Sequence, residues 1–419
     1  AGDGGNKVIA GNGLNTIETG SGADRITLGN GNNKVSAGAG SNQIIVGDGL
    51  NEITAGAGSD KITVGNDANI IDAGDGRNTV KAGGGDNQIS TGKDDDSITV
   101  RDGDNTINAG DGANRITAGD GNNTISTGSG RDDIRLGDGN NWVSAGDGDN
   151  KITGGNGLNV ILAGDGTDTI KVGNGLNSIS VGNGNNKVTA GDGDNVITAG
   201  DGKDDIRAGD GNNRIEIASG SNRITVGDGF NDIETGDGAD TIRAGKSDNL
   251  INAGDGKNSI AVGDGYNEIE TGSGDDKIAA GDGDNIIAAG DGMNRIQAGD
   301  GDNEIHTGSG RDDIRLGDGA NTIWSEGGNN KITSGDGGIS VFTHGGDDYI
   351  KVGDGLNIIE AGDGRNRIYA GKGENIISSG DGDDTISVKG RDNKISAGGG
   401  RNTITAGDGN TNVKTEDGN

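Results

Sequence analysis

The sequence predicts an all-β fold, a parallel β-solenoid built from about 46 copies of one nonapeptide. Written in rows of nine from Ala1, the 419 residues give 46 complete rows without insertion or deletion. The eighth place of every row is Ile or Val, and Gly fills the second and fourth places of nearly every row. A short fixed period of this kind is typical of a solenoid, because each repeat buries its apolar side chains against its neighbours.

Each row predicts one tight turn and one short strand. Glycine reaches positive φ and allows neighbouring backbones to approach closely, so the Gly-x-Gly of places two to four predicts the turn. Places six, eight and one are spaced by two residues, so in a strand their side chains point to the same side. That side is the interior, because place eight is always Ile or Val. Places seven and nine vary among charged and polar residues and are expected to face solvent.

Two rows make the smallest closed coil, with one strand and one turn on each side. Coils of 18 residues give about 23 coils and a rod roughly 110 Å long at one strand spacing per coil. A coil of 36 residues is the alternative that the sequence leaves open. Residues 1–419 are predicted to form one continuous solenoid domain with no visible caps. Exposed strand edges pair with other chains, so the chain is either a fragment of a longer protein or stacks end to end.

The composition limits the partners. There are 92 Gly, no Pro and no Cys, and 67 acidic residues stand against 35 basic ones, for a net charge of −32. Such a charge argues against nucleic acid and anionic membranes and favours cations. No apolar run is long enough to span a bilayer, so membrane insertion is not expected.

A second period of 36 residues lies on the first. Place six is Asn in most rows, but it is Asp once in every four rows. With 18-residue coils these carboxylates fall on one edge of the solenoid, in alternate coils. The eleven residues are Asp24, Asp60, Asp96, Asp132, Asp168, Asp204, Asp240, Asp276, Asp312, Asp348 and Asp384.

Rows such as AGDGTDTIK from Ala163 and AGDGKDDIR from Ala199 resemble the repeats-in-toxin, or hemolysin-type calcium-binding, nonapeptide family. The resemblance extends over the whole chain. It implies a right-handed parallel β-roll in which calcium lies between successive turns. The ligands it implies are the carbonyl oxygens of the glycine turns and the carboxylate at place six, so the eleven Asp residues are the predicted metal ligands.

The rows depart from the family pattern at two places. The family's first Gly is here mostly Ala, Val, Thr, Leu or Ser, which is expected to belong to the strand and pack inward. Place six is Asn in about three rows of four, and an amide brings no charge to a cation. We therefore expect calcium at the edge where Asp and Asn alternate, and ladders of stacked Asn amides at the opposite edge.

Other polar residues have simpler interpretations. Asp at place three is interpreted as a turn residue that bonds its own backbone. His306 and His344 occupy unrelated places and are expected to face solvent, and Trp142 and Trp324 occupy outward places. The sequence contains no HExxH, no GxSxG and no Cys nucleophile, so an enzyme is not predicted.

The leading functional prediction is a structural, calcium-binding rod in a secreted or cell-surface fibril, surface layer or adhesin, with self-association end to end or laterally. In array length and motif the chain is similar to the oscillin-type fibrils of gliding cyanobacteria. One alternative is the carboxy-terminal, calcium-folded roll of a secreted toxin or enzyme, and another is ice binding. Sites with few charged ligands suit millimolar calcium, so an extracellular location is expected.

Overall fold

The computed structural model describes residues 1–416, and their regular structure consists of 46 β-strands, one for each row. The last three residues of the predicted domain, 417–419, lie outside the described residues. The chain forms two compact units, residues 1–209 and residues 210 onward. Residues 1–416 contain no helix long and apolar enough to cross a membrane.

In the first unit, strands of odd rows form one sheet and strands of even rows form another. The odd strands are β1 (Lys7–Ala10), β3 (Arg25–Leu28), β5 (Gln43–Val46), β7 (Lys61–Val64), β9 (Thr79–Lys81), β11 (Ser97–Thr99), β13 (Arg115–Ala118), β15 (Asp133–Leu136), β17 (Lys151–Thr153), β19 (Thr169–Lys171), β21 (Lys187–Thr189) and β23 (Asp205–Ala208). The even strands are β2 (Thr16–Glu18), β4 (Lys34–Ser36), β6 (Glu52–Thr54), β8 (Ile70–Asp72), β10 (Gln88–Ser90), β12 (Thr106–Asn108), β14 (Thr124–Ser126), β16 (Asn141–Gly146), β18 (Asn159–Ala163), β20 (Asn177–Val181) and β22 (Asn195–Asp201).

The second unit has the same arrangement. Its even strands are β24 (Asn213–Ser219), β26 (Asn231–Thr235), β28 (Asn249–Asn252), β30 (Asn267–Glu270), β32 (Asn285–Ala288), β34 (Glu304–Thr307), β36 (Gly319–Ser325), β38 (Gly337–Thr343), β40 (Gly355–Glu360), β42 (Asn375–Ser379), β44 (Asn393–Ala397) and β46 (Thr411–Thr415). Its odd strands are β25 (Arg223–Val226), β27 (Thr241–Arg243), β29 (Ser259–Ala261), β31 (Lys277–Ala279), β33 (Arg295–Ala298), β35 (Asp313–Leu316), β37 (Lys331–Thr333), β39 (Tyr349–Lys351), β41 (Arg367–Ala370), β43 (Thr385–Val388) and β45 (Thr403–Ala406).

Within each unit the strands pair in parallel with an offset of 18 residues, apart from a register shift at Gly146 of β16, which lies opposite Ala163. Ile116 of β13 lies opposite Ile134 of β15, and Ile251 of β28 lies opposite Ile269 of β30. The coil therefore has 18 residues and two strands, which confirms the predicted parallel solenoid and excludes the 36-residue coil.

The core is a narrow double ladder of aliphatic side chains. Ile116 at place eight is fully buried, and Ala118 at place one of the next row is 3% exposed. The prediction that place one packs inward is confirmed. Place six is also buried, so each coil encloses a polar side chain as well as apolar ones. That polar column has to satisfy its own hydrogen bonds, because no solvent reaches it.

Glycine at place four is required by both conformation and space. Gly121 has a φ of 134°, and a Cβ there would overlap the carbonyl oxygen of Gly103 in the coil before. Asp67 and Asp94 are the two Asp residues at this place, and they adopt φ values of 83° and 87°. Asp is among the few residue types that tolerate this region. The turns thus stack backbone on backbone, which brings their carbonyl groups close together.

The outward places carry the variable side chains, as predicted. Trp324 lies on the outer surface of β36 and stacks between two neighbours of the same column. Its ring centroid is 4.4 Å from that of His306 and 6.0 Å from that of Phe342, with the rings nearly parallel. Equivalent residues in successive coils therefore contact each other on the surface as well as in the core.

Candidate metal centre

The turns of even rows, which we name the asparagine edge, are held together by stacked amides. The Asn51 side-chain Nδ2 donates to the carbonyl oxygens of Gly47 at 3.1 Å and of Gly49 at 2.8 Å, within its own turn. It also donates to Oδ1 of Asn69 in the next coil at 2.9 Å. The same three bonds recur at Asn267 in the second unit. The predicted amide ladder at this edge is confirmed.

The turns of odd rows form the aspartate edge, where Asn and Asp alternate at place six. The Asn42 backbone N–H donates to Oδ1 of Asp60 at 2.7 Å, and the Asp60 N–H donates to Oδ1 of Asn78 at 3.0 Å. Nδ2 of Asn42 donates to the carbonyl oxygens of Gly38 and Gly40, as on the other edge. The Asn rows of this edge are therefore satisfied without any ion.

The Asp rows leave one buried oxygen without a hydrogen-bond partner. Oδ1 accepts an amide bond from the coil before, but Oδ2 is enclosed and accepts none. This holds for Asp24, Asp60, Asp96, Asp132, Asp168, Asp240, Asp276, Asp312, Asp348 and Asp384. A buried unpaired carboxylate oxygen is costly, so the same group repeated along one edge fits the role of a cation ligand.

The surroundings of this oxygen are themselves rich in acceptors. Asp has the shape of Asn, and its Oδ1 accepts the same backbone N–H from the coil before. Its Oδ2 therefore takes the position of the Asn Nδ2, which in the Asn rows donates to two turn carbonyls. At Asp60 those carbonyls belong to Gly56 and Gly58, and an ionised carboxylate has no proton to offer them. Three oxygen acceptors thus converge with no donor between them. A hard cation with oxygen ligands fits this arrangement.

Burial raises the pKa of ten of these carboxyls, because a charge enclosed by protein loses its hydration. For Asp60 and for Asp168 the pKa is raised to about 6. The pKa is also raised for the carboxyls of Asp96, Asp132, Asp204, Asp240, Asp276, Asp312, Asp348 and Asp384. At Asp24 burial raises the pKa as well, but hydrogen bonds outweigh it and the pKa is lowered; the N–H and Nδ2 of Asn6 both donate to its Oδ1.

A threonine at place one begins most of the Asp rows. The buried Thr91 hydroxyl donates to the carbonyl oxygen of Ala109 in the next coil at 3.0 Å, and the Thr127 hydroxyl donates to that of Ala145 at 2.8 Å. These hydroxyls therefore bond the backbone, and Oδ2 of Asp96 and Asp132 stays without a partner.

Aspartates at place three differ from those at place six because they are exposed and hydrogen-bonded. Oδ1 of Asp165 accepts the N–H of Asn183 in the next coil at 2.8 Å. At Asp111 the N–H and hydroxyl of Ser129 lower the pKa of the carboxyl. Their interpretation as turn residues fits these bonds. The expected partner was wrong, because the bond reaches the following coil rather than the residue's own backbone.

The predicted site residues all lie on the aspartate edge, but no two share a site. The first unit carries six, from Asp24 to Asp204, and the second carries five, from Asp240 to Asp384, each two coils from the next. In residues 1–416 no three His, Asp or Glu side chains come together to hold a metal. Each site therefore offers one carboxylate and several backbone carbonyls.

The structure is a parallel solenoid whose stacked turns present carbonyl oxygens, with a buried carboxylate in alternate coils along one edge. The family model described as RTX calcium-binding nonapeptide repeat (4 copies) matches almost the whole chain. The matched segments are 1–35, 36–71, 63–98, 99–134, 136–170, 180–215, 218–251, 225–260, 234–269, 252–287, 280–314, 288–323, 306–338, 342–377, 351–386 and 378–413. The chain therefore belongs to the RTX repeat family, and its repeats are of the calcium-binding type. No curated protein and no solved structure matched it.

Replacing one edge carboxylate by its amide tests the assignment of the sites. Asp168→Asn restores a donor to the carbonyls of Gly164 and Gly166, so we expect it to stabilise strand β19 in chelator by about 1–3 kcal/mol. Hydrogen exchange of the β19 amides measures this local stability. Calorimetric titration should show one calcium ion fewer per chain.

The matched control is Asp165→Asn, at place three of the same row. It keeps the Oδ1 that accepts the Asn183 amide, so neither β19 protection nor the number of bound ions should change. Equal effects of the two substitutions would contradict the assignment of the sites to place six.

The raised pKa values also predict opposite pH dependences with and without calcium. In chelator the folded state holds more protons than the unfolded chain between about pH 4 and 6. The place-six carboxyls therefore make their full contribution to the free energy of unfolding below about pH 4, and this contribution is lost as the pH rises through about 6. With calcium bound the ionised form is favoured, so acidification through the same range should lower the melting temperature.

Thermal melts monitored by circular dichroism between pH 4.5 and 7.5 measure both slopes, in roughly the window set by these pKa values. The double variant Asp60→Asn with Asp168→Asn should flatten the chelator slope, because the two groups whose pKa is about 6 no longer titrate. A melting temperature in chelator that rises with pH would show that these carboxylates are not the groups that control stability.

Proposed function

We propose that this chain is a structural, calcium-stiffened solenoid of a secreted or cell-surface protein, such as a fibril, a surface layer or the spacer of an adhesin. Calcium is held at the eleven place-six Asp residues of the aspartate edge. The observation that carries the proposal is the buried Oδ2 without a hydrogen bond that recurs at place six along that edge. The role is non-enzymatic, because the carboxylates lie singly in repeated environments rather than as a tuned pair.

The composition of each site supports calcium at extracellular concentration. One carboxylate with neutral carbonyl oxygens gives a hard ligand set of low charge, and calcium accepts six to eight such oxygens in flexible geometry. Few charged ligands correspond to dissociation constants of roughly 0.1–1 mM. Such sites fill outside the cell and stay empty at cytosolic calcium levels.

The asparagine edge supports a permanent structural role over a switch that folds on export. There the amide nitrogen of residues such as Asn51 binds the turn carbonyls that would otherwise require an ion. One edge of nearly every coil is thus closed without calcium, the exceptions being the rows with Ile339 and Thr411 at place six, and on the other edge only alternate coils require it. The carboxy-terminal roll of a toxin or enzyme is the alternative, and it would need calcium for folding itself.

Two further predictions accompany the proposal. Self-association end to end or laterally would build a fibril or layer from such units, and residues 1–419 would act as one continuous domain. Both stay predictions. Ice binding is less well supported, because the outward columns mix Lys, Arg and Glu with Thr rather than repeating one small residue.

Calcium titration of the whole chain distinguishes the two functions. We expect a β-rich circular dichroism spectrum already in chelator, because the asparagine edge and the Ile ladder are complete without ions. Calcium at about 1 mM should then raise the melting temperature, with little change in β content. Magnesium at the same concentration is the control, since it demands a stricter octahedral geometry. A disordered chain in chelator would favour the folding switch, and no response to calcium would overturn both functions.

A further inference from the structure

The two outer faces of the solenoid differ sharply in charge. We name places seven and nine of the odd rows the basic face and the same places of the even rows the acidic face. In the first unit the basic face carries ten Lys or Arg against two Asp, although the chain as a whole has a net charge of −32. Six of the ten occupy place seven, and all six are exposed: Lys7, Arg25, Lys61, Arg115, Lys151 and Lys187.

The few acidic residues of the basic face are neutralised within it. Asp133 lies between Arg115 of one neighbouring strand and Lys151 of the other, and its Oδ2 pairs with Arg135 at 2.6 Å. Asp313 in the second unit has an equivalent setting beside Arg315. Most of the basic side chains stack on polar or like-charged neighbours instead, as Lys7 does on Arg25. The face therefore presents uncompensated positive charge.

In the second unit the acidic face carries a block of six carboxylates, which we name the acidic block. Its members are Glu216, Asp232, Glu234, Glu268, Glu270 and Glu304. Arg214 is the one Arg or Lys at the outward places of this stretch, and it pairs with Glu216 and Asp232. Glu216 and Glu234 lie directly opposite each other in adjacent strands, where like charges are destabilising.

The same face also exposes large apolar side chains, which the basic face largely lacks. Leu250 lies within the acidic block and is 39% exposed, and the stacked Trp324 follows the block at 36%. In the first unit Ile70, Val196 and Leu162 occupy equivalent outward places. Apolar side chains among carboxylates favour a partner whose flat surface carries cationic side chains and excludes water from the contact.

We propose that the basic face of one copy packs on the acidic face of a second copy, so that chains associate laterally. The proposal specifies the self-association expected of the structural function and rests on that function. Both faces repeat at the same strand spacing, so rows of opposite charge can run alongside each other over many coils. Because the two contacting surfaces differ, the contact is heterologous and can continue into a layer or bundle.

The available area suits a weak, reversible contact. The strands of the basic face have three or four residues and are thus about 10–13 Å long, and eleven coils at about 4.8 Å extend over about 53 Å. One unit thus offers a flat face of roughly 500–700 Å², somewhat below the 800 Å² per partner of a standard interface and near the range of transient contacts. Charge complementarity then selects which faces meet.

Two charge-reversed full-length variants test the pairing. The first carries Lys81→Glu, Lys171→Glu and Lys351→Glu on the basic face, at exposed places with no acidic neighbour in the adjoining strands. The second carries Glu234→Lys, Glu268→Lys and Glu270→Lys in the acidic block. All six positions point outward, and unchanged circular dichroism and calcium response would verify that each variant is folded and that the proposed function is intact.

Sedimentation velocity in saturating calcium measures the association. The natural sequence should associate as its concentration rises at about 50 mM salt and dissociate at about 0.5 M salt, because the attraction is screened. Each variant alone should associate at least about tenfold more weakly, since three reversals change the charge of one contacting face by six and weaken its attraction to the other face. An equimolar mixture of the two variants should recover association, because the unmodified acidic face of the first variant can meet the unmodified basic face of the second.

Three results would overturn the proposal. They are a natural sequence that stays monomeric at low salt, variants that associate as strongly as it does, and a mixture that shows no recovery. Fluorescent dextran sulfate serves as a probe for the other occupant. If the monomeric natural sequence binds it and the basic-face variant does not, that face serves an anionic polymer instead of a second copy.

Discussion

The 18-residue register is the constraint on which the rest of the structure depends. Every residue lies one strand spacing from its equivalent in the next coil, so each column of side chains must be compatible with itself. Columns of Ile and Val pack against themselves, and glycine at place four leaves room for the carbonyl group beneath it. Asn can stack on Asn because an amide is both donor and acceptor. Ionised aspartate only accepts hydrogen bonds, so its place in the column requires a cation or a proton.

The difference between the two edges follows from one atom at place six, which is Nδ2 in Asn and Oδ2 in Asp. At the asparagine edge Nδ2 of Asn51 or Asn267 donates to turn carbonyls and to the next amide, and the ladder continues without ions. At the aspartate edge Oδ2 of Asp60 has no hydrogen-bond partner, and burial of the carboxyl raises its pKa to about 6. The repeats thus alternate between rows with a buried carboxylate and rows in which an amide takes its place. On the proposed function, the dependence of the chain on calcium follows the number of Asp residues at place six.

Much of this could be predicted from the sequence, because a perfect repeat turns a local pattern into a global one. The period fixed the strands and turns, place eight fixed the core, and the 36-residue spacing placed all the Asp residues on one edge. The coil length could not be decided, because 18 and 36 residues both close on the same period. The hydrogen-bond partner of Asp165 was predicted wrongly because it depends on the coil length: the N–H that its Oδ1 accepts belongs to Asn183, one coil away.

The segregation of charge between the two faces was present in the sequence but became visible only with the 18-residue coil. Once odd and even rows are known to form separate sheets, Lys61 and Lys151 fall on one face and Glu234 and Glu268 on the other. Net charge had indicated an acidic molecule throughout. The negative charge is concentrated at the turns and on the acidic face, which leaves one face free to be positive.

Counting the calcium ions bound per chain tests the central claim most directly. Equilibrium dialysis against about 5 mM calcium, a concentration above the affinity range of such sites, followed by elemental analysis would give the number. The account predicts about eleven ions, one for each place-six Asp, and one more for an Asn159→Asp variant of the asparagine edge. A number near one ion for every row, with no gain in the variant, would show that Asn rows bind calcium as well and would contradict the account.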